Sequence, residues 1–133
     1  MDETDEIVQE FLVESHENLD QLDQDLVALE QSPDSRELIS SVFRTIHTIK
    51  GTSGFLAFGR LEALTHVGEN LLSRLRDGEM AMDAPITEAL LRMVDTVREL
   101  LTAIEADGTE GSVEVEHVVA RIQAVLDLSL IHI

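Results

Sequence analysis

Apolar residues recur every three or four positions along most of this chain, and polar residues fill the positions between them. This spacing is typical of an α-helix with one buried face, whereas a half-buried strand alternates every second residue. The pattern predicts five helices, at about 5–31, 34–54, 60–77, 85–107 and 112–126. Because short connections join successive long helices, we predict an all-α fold, an antiparallel up-down four-helix bundle with a fifth C-terminal helix.

Local signals refine the ends of these helices. Asp34 followed by Glu37 predicts a capping box at the start of helix two. Gly78 is predicted to end helix three as a C-cap. The apolar turn at 55–59 is predicted to fold back on the core. Helix one carries an apolar stripe that is predicted to be buried: Ile7, Phe11, Leu12, Leu19, Leu22, Leu26 and Leu29.

Composition limits what the chain can be. Its 133 residues are 44% hydrophobic, which fits one domain, and the absence of cysteine excludes disulfides and thiolate metal sites. A formal charge of −18 opposes binding to nucleic acid or to an anionic membrane surface. The acidic amino terminus does not resemble a signal peptide, and apolar runs fall short of the roughly 20 residues of a membrane span. We therefore expect a cytoplasmic, monomeric domain.

The end of the chain differs from the rest. Residues 128–133 are apolar and follow a helix that is already complete in the predicted pattern. We predict a domain at 1–127, followed by a tail at 128–133 that is foreign to the natural protein and left by cloning or sequencing.

Helix two changes character near its middle. Its buried face is predicted to hold Ile39, Val42, Phe43, Ile46 and Ile49. At about 100° per residue, His47 lies roughly 110° from the centre of that face, on the shoulder of the helix. Arg44 and Lys50 lie three residues on either side, and Lys50 is the only lysine in the chain. Gly51 and Gly54 are predicted to leave the surface beside His47 bare, so that another protein can reach the imidazole.

Helix three offers a partner for this histidine. Glu69 occupies a shoulder of its apolar stripe, at about the same offset as His47 on helix two. If the two helices are antiparallel neighbours, the Glu69 carboxylate can accept a hydrogen bond from one imidazole nitrogen and fix the tautomer. The other nitrogen is then free to attack an electrophilic phosphorus, with Lys50 or Arg44 neutralising the phosphoryl oxygens.

Two segments carry a family resemblance. HTIKGTSGFLAF at 47–58 resembles the His-x-x-Lys-Gly signature of histidine phosphotransfer (HPt) domains. With LTHVGENLL at 64–72, the chain is similar over residues 2–127 to the amino-terminal phosphotransfer domain of the CheA family of chemotaxis kinases. The resemblance implies a five-helix carrier that is phosphorylated by the kinase's ATP-binding domain, which uses ATP and Mg. It also implies transfer to an aspartate on CheY- or CheB-type response regulators.

The resemblance also assigns roles to single residues. His47 matches the phospho-acceptor, Glu69 its carboxylate hydrogen-bond partner and Lys50 the lysine one turn on. His66 matches a second histidine near the site. Three residues are assigned to partner docking: Arg44, Gly51 and Gly54. No nucleotide-binding glycine motif is present in the sequence, so the resemblance implies a phosphotransfer domain that is not a kinase by itself and binds no cofactor or metal.

Two other functions are compatible with a helical bundle. His47, His66 and Glu69 could supply an imidazole–imidazole–carboxylate metal site. Glu114 and His117 have the Glu-x-x-His spacing of di-iron bundles, but that architecture needs two such motifs and the chain holds one. A purely structural adaptor would require nothing special at His47.

Overall fold

The structure is a computed structural model that describes residues 3–131, with the side chains of residues 5–128. Within these residues the chain forms five helices and no strand. They are α1 (Glu3–Gln31), α2 (Arg36–Phe55), α3 (Gly59–Arg76), α4 (Ala84–Asp107) and α5 (Glu116–Ile131). The predicted all-α fold is confirmed. Across the part of the chain described, no helix is both long and apolar enough to cross a membrane.

The first four helices form the antiparallel bundle that the sequence predicts. Helix α1 packs against α2 and α4, while α3 packs against α2, α4 and α5. Helix α5 lies across α3 and α4 and covers one side of the bundle. Ile122 of α5 is fully buried, as are many large side chains of α1 to α4, which include Leu19, Leu22, Leu26, Leu29, Ile46, Ile49, Leu61, Leu64, Leu71, Leu72, Leu90 and Met93. This packing sets α2 and α3 side by side, so the shoulders of their apolar faces meet.

Two predicted core positions are exposed instead. Ile7 is 41% exposed, and the partly buried Val8 packs against the core in its place. At about 100° per residue, Val8 lies nearer the centre of the α1 stripe than Ile7 does. In the turn after α2, Phe58 is buried and stacks on Phe11 with ring centroids 6.0 Å apart, but Phe55 is 77% exposed. Only part of that apolar turn therefore folds back on the core.

The helix ends confirm one predicted cap and correct another. Ser35, not Asp34, is the N-cap of α2, and its hydroxyl accepts from the Leu38 N–H at 3.4 Å. Both residue types cap well, so the sequence did not discriminate between neighbouring starts. Gly78 follows α3 with φ of 77°, and its N–H donates to the Leu75 carbonyl at 3.2 Å. A left-handed glycine just after the last turn is the helix ending that was predicted.

Helix α5 begins later and ends later than predicted. It starts at Glu116 rather than residue 112, and the Arg60 guanidinium binds the carbonyls of Gly111 and Val113 in the preceding loop, at 2.5 and 3.4 Å. The helix continues to Ile131, past the predicted end at residue 126. The foreign origin of 128–133 stays a prediction, and residues 132 and 133 lie outside the described part of the chain.

Candidate functional site

The paired shoulders of α2 and α3 bring three predicted site residues together. His47 Nδ1 lies 2.9 Å from Glu69 Oε2, and Lys50 Nζ lies 3.0 Å from the same oxygen. His47 and Lys50 are three residues apart on α2, so both side chains reach the carboxylate presented by α3. The predicted contact between His47 and Glu69 is confirmed.

The three groups differ in their exposure to solvent. The side chain of His47 is 60% exposed, whereas those of Glu69 and Lys50 are 17% and 23% exposed. Burial raises the pKa of the Glu69 carboxyl, but the hydrogen bonds from His47 and Lys50 and the charge of Lys50 outweigh it and hold that pKa below its usual value. Glu69 is therefore ionised at neutral pH.

The charge on Glu69 determines the tautomer of the neutral His47 ring. An ionised carboxylate only accepts hydrogen bonds, so Nδ1 of His47 must carry the proton that it donates to Glu69. The lone pair of the neutral imidazole is then on Nε2. The site can thus present a nucleophilic nitrogen on an exposed ring.

Phe43 and Arg76 belong to the same cluster, although sequence reasoning missed both roles. Phe43 was placed on the buried face of α2, but it is half-buried, and its ring stacks on the His47 ring with centroids 5.9 Å apart and planes 10° from parallel. The Arg76 guanidinium lies over the Phe43 ring, 4.1 Å from its centroid. The spacing of four residues between Phe43 and His47 is the sequence signal that could have indicated the stack.

The other predicted polar residues lie around this cluster. His66 is exposed on α3 and lines a cleft of about 380 Å³ together with Lys50 and Glu62. His47 is not among the residues lining that cleft, so His66 is linked to the site through Lys50. Arg44 is exposed one turn before His47.

The two glycines after His47 have different surroundings. Gly51 is exposed, and a Cβ added to it would meet nothing within 4 Å, as expected for a bare surface. A Cβ at Gly54 would collide with the Glu62 carboxylate. The prediction of bare surface at Gly54 is therefore wrong, since glycine there makes room for a side chain of α3.

The residues suggested for a metal site are not assembled. His117 is 94% exposed and lies 3.8 Å from Glu114 on the outside of the protein. Among the described residues, no group of three or more His, Asp or Glu side chains is placed to hold a metal ion. The metal-binding bundle has no support in this geometry.

Comparison with known proteins agrees with the site. The Hpt domain family matches residues 6–107, which include α2 and α3 with all of the site residues. This chain belongs to the Hpt domain family. The Hpt domain is 40% identical over 134 residues to the sensor histidine kinase CheAY of Helicobacter pylori (strain ATCC 700392 / 26695). That match covers 98% of this chain but only 17% of the relative, so the Hpt domain corresponds to a small part of a much longer protein.

Two solved structures resemble the Hpt domain closely. The phosphorylated P1 domain of CheA3 in complex with CheY6 from R. sphaeroides has a TM-score of 0.86 and 29% identity, covering 94% of this chain and 98% of that one. A solution structure of the histidine phosphotransfer domain of CheA has a TM-score of 0.82 and 28% identity, covering 90% of this chain and 91% of that one. The Hpt domain thus has the helical bundle of CheA phosphotransfer domains.

Proposed function

We propose that His47 carries a phosphoryl group in a chemotaxis phosphorelay in the cytoplasm. In this proposal it accepts the group from ATP bound to the catalytic domain of a CheA-type kinase and delivers it to an aspartate on a CheY- or CheB-type receiver. One observation carries the proposal: Nδ1 of an exposed imidazole is engaged by a half-buried carboxylate, which leaves Nε2 as the reactive nitrogen. The solved complex of a phosphorylated P1 domain with CheY6 supports the choice of receiver.

The loading step follows from the tautomer. The Nε2 lone pair attacks the γ-phosphorus of ATP, and the new N–P bond forms as the P–O bond to ADP breaks. The bonding electrons leave with ADP, and Mg²⁺ remains with the nucleotide in the kinase domain. The ring now carries positive charge, which the Glu69 carboxylate stabilises through the Nδ1–H bond.

The unloading step returns the positively charged ring to its neutral form. A carboxylate oxygen of the receiver aspartate attacks the phosphorus, the N–P bond breaks and its electrons return to Nε2. Lys50 keeps the Glu69 oxygen in place during both steps, because its ammonium binds that oxygen at 3.0 Å. Arg44 supplies an exposed cation near the incoming phosphoryl group on a chain with a formal charge of −18.

A labelling experiment tests this function. The chain is incubated with radiolabelled ATP, Mg²⁺ and a separate CheA catalytic core, and a second Hpt domain that this core is known to phosphorylate serves as the positive control. We expect an acid-labile, base-stable phosphoramidate on the wild-type chain, none on His47→Gln, and loss of the label when a CheY-type receiver is added. Undiminished label on His47→Gln, or none on the wild type while the positive control is labelled, would reject the proposal.

A further inference from the structure

The imidazole of His47 has two contacts of different kinds. Its Nδ1 is hydrogen-bonded to Glu69, and its ring is stacked on the nearly parallel ring of Phe43, with centroids 5.9 Å apart. We infer that Phe43, held by Arg76, is a positioning residue that sets the plane of the His47 ring and thereby the direction of Nε2. This inference rests on the proposed function of His47 as a phosphoryl carrier.

A hydrogen bond alone does not fix the direction of Nε2. The contact at 2.9 Å between Nδ1 and Glu69 Oε2 restrains one distance, but two torsions, χ1 and χ2, determine the orientation of the ring, so a range of ring orientations satisfies it. The His47 side chain is 60% exposed, so solvent rather than protein surrounds most of it. The stack, with planes 10° from parallel, supplies a second restraint because an offset-stacked pair of aromatic rings is a favoured arrangement.

Arg76 connects this restraint to α3. Its guanidinium lies over the Phe43 ring, 4.1 Å from the centroid, and its Nε is 3.3 Å from the Asp77 carboxylate. Arg76 follows Glu69 by seven residues, which is two helical turns, so both side chains leave the same face of α3. That face therefore restrains the imidazole in two ways: Glu69 bonds its Nδ1, and Arg76 contacts Phe43, which stacks on the ring. A phosphoryl transfer that needs the nitrogen aligned with the phosphorus benefits from such fixed orientation.

The test uses variants that separate ring orientation from stability. Phe43→Leu keeps an apolar side chain but removes the ring, Phe43→Tyr restores a ring, and Arg76→Gln removes only the cation. Arg92→Gln on α4, which loses a surface ion pair with Glu88, is the matched control. One readout is NMR of the free domain, measuring the χ2 averaging of the His47 ring. The other is phosphorylation by a CheA catalytic core, resolved into kcat and KM.

We expect Phe43→Leu to increase the averaging of the His47 ring and to lower kcat about two- to tenfold, the factor that corresponds to one aromatic contact. KM should stay within about twofold, because no docking surface is removed. Phe43→Tyr should keep the averaging of the His47 ring and kcat at their wild-type values. Arg76→Gln should change both quantities in the same direction as Phe43→Leu, but by a smaller factor. Arg92→Gln should change neither.

The outcomes distinguish this inference from the proposed function. An unchanged His47 ring and an unchanged kcat in a folded Phe43→Leu protein would overturn the positioning role, as would failure of Phe43→Tyr to restore them. If Phe43→Leu does not fold, Arg76→Gln decides, and unchanged ring averaging in that variant overturns the inference. Absence of label on the wild-type chain would instead reject the proposed function, while the NMR readout would still judge the role of Phe43.

Discussion

Within the described side chains, residues 5–128, two histidine–carboxylate pairs bridge neighbouring helices, and they differ in almost every detail. His47 on α2 meets Glu69 on α3, with a hydrogen bond of 2.9 Å from Nδ1. His16 on α1 lies 3.3 Å from Glu105 on α4, and its Nε2 is buried there without an aligned hydrogen bond. The Glu69 side chain is 17% exposed and also binds Lys50, whereas the Glu105 side chain is 60% exposed.

The surface beside each imidazole differs as well. One turn after His47 the chain has Gly51, which offers open space. One turn after His16 it has Asp20, which is paired with Arg98 at 3.4 Å. The two pairs thus share a carboxylate close to an imidazole and differ in what surrounds it. On the proposed function, His47 is distinguished by a carboxylate that is half-buried and held by a second partner, and by a surface that another protein can approach.

Replacement of His47 and of His16, each in its own variant, should give the largest difference in the rate of phosphorylation. His47→Gln is expected to abolish phosphorylation by a CheA catalytic core, because no other imidazole within residues 5–128 has this environment. His16→Gln should leave the initial rate of phosphorylation within about twofold of wild type, since His16 lies between α1 and α4, away from the α2–α3 site. Quantitative labelling with ATP measures both, and a large loss in His16→Gln would show that the two pairs are not separable.

Replacement of Glu69 and of Glu105, each in its own variant, should give a smaller difference in the rate of phosphorylation. Glu69→Gln is expected to slow phosphorylation about 10- to 100-fold, the usual effect of removing a carboxylate that orients a functional imidazole. Glu105→Gln is the matched control and should leave the rate unchanged. Both proteins should remain folded by circular dichroism. Equal rates for Glu69→Gln and Glu105→Gln would remove Glu69 from the mechanism.

Gly51→Ala should change the stability of the fold and the rate of phosphoryl transfer in opposite directions. An added methyl group meets nothing within 4 Å, so alanine should raise the free energy of unfolding by up to about 1 kcal/mol through its helix propensity. The same methyl group narrows the approach to His47 and should slow transfer to a receiver. Gly68→Ala is the control of opposite sign, because its Cβ would collide with the Met93 sulfur in the core. Urea unfolding and transfer kinetics measure the two effects, and faster transfer in Gly51→Ala would contradict this account.

Acidification should produce the smallest of these effects, which is the loss of the contribution of ionised Glu69 to the free energy of unfolding. The pKa of Glu69 lies below its ordinary value of 4.5, so its contribution to stability is complete above that pH and is lost as the pH falls through the folded pKa. The stability difference between wild type and Glu69→Gln should therefore shrink between pH 6 and pH 3. Because the site is partly solvated, we expect a change below about 1 kcal/mol in urea unfolding. A difference that grows on acidification would contradict the sign of the pKa shift.

The sequence predicts the bundle and the central pair well because both depend on helical periodicity. The apolar stripes of α2 and α3 determine which faces pack, and the same count places His47 and Glu69 on facing shoulders. Periodicity places Phe43 at the edge of the apolar stripe, where it packs partly against the core and also stacks on the His47 ring. The contact with Arg76 comes from another helix and is not visible in the pattern of α2.

Contacts between distant segments account for the other errors. The sequence predicts a bare surface at Gly54, but in the structure the Glu62 side chain lies against it. The loop before α5 is bound by Arg60, about fifty residues earlier, whose guanidinium contacts the Gly111 and Val113 carbonyls. Local signals describe a segment by itself, so they cannot report which remote side chain competes for its surface or its backbone.

On the proposed function, His47 reacts through Nε2 while Nδ1 stays bonded to Glu69. Phosphorus–nitrogen coupling in an NMR spectrum of the ¹⁵N-labelled, phosphorylated chain tests it most directly. We predict coupling to Nε2 of His47 together with a protected proton on Nδ1. Coupling to Nδ1 of His47, or to a ring nitrogen of His16 or His66, would contradict the account.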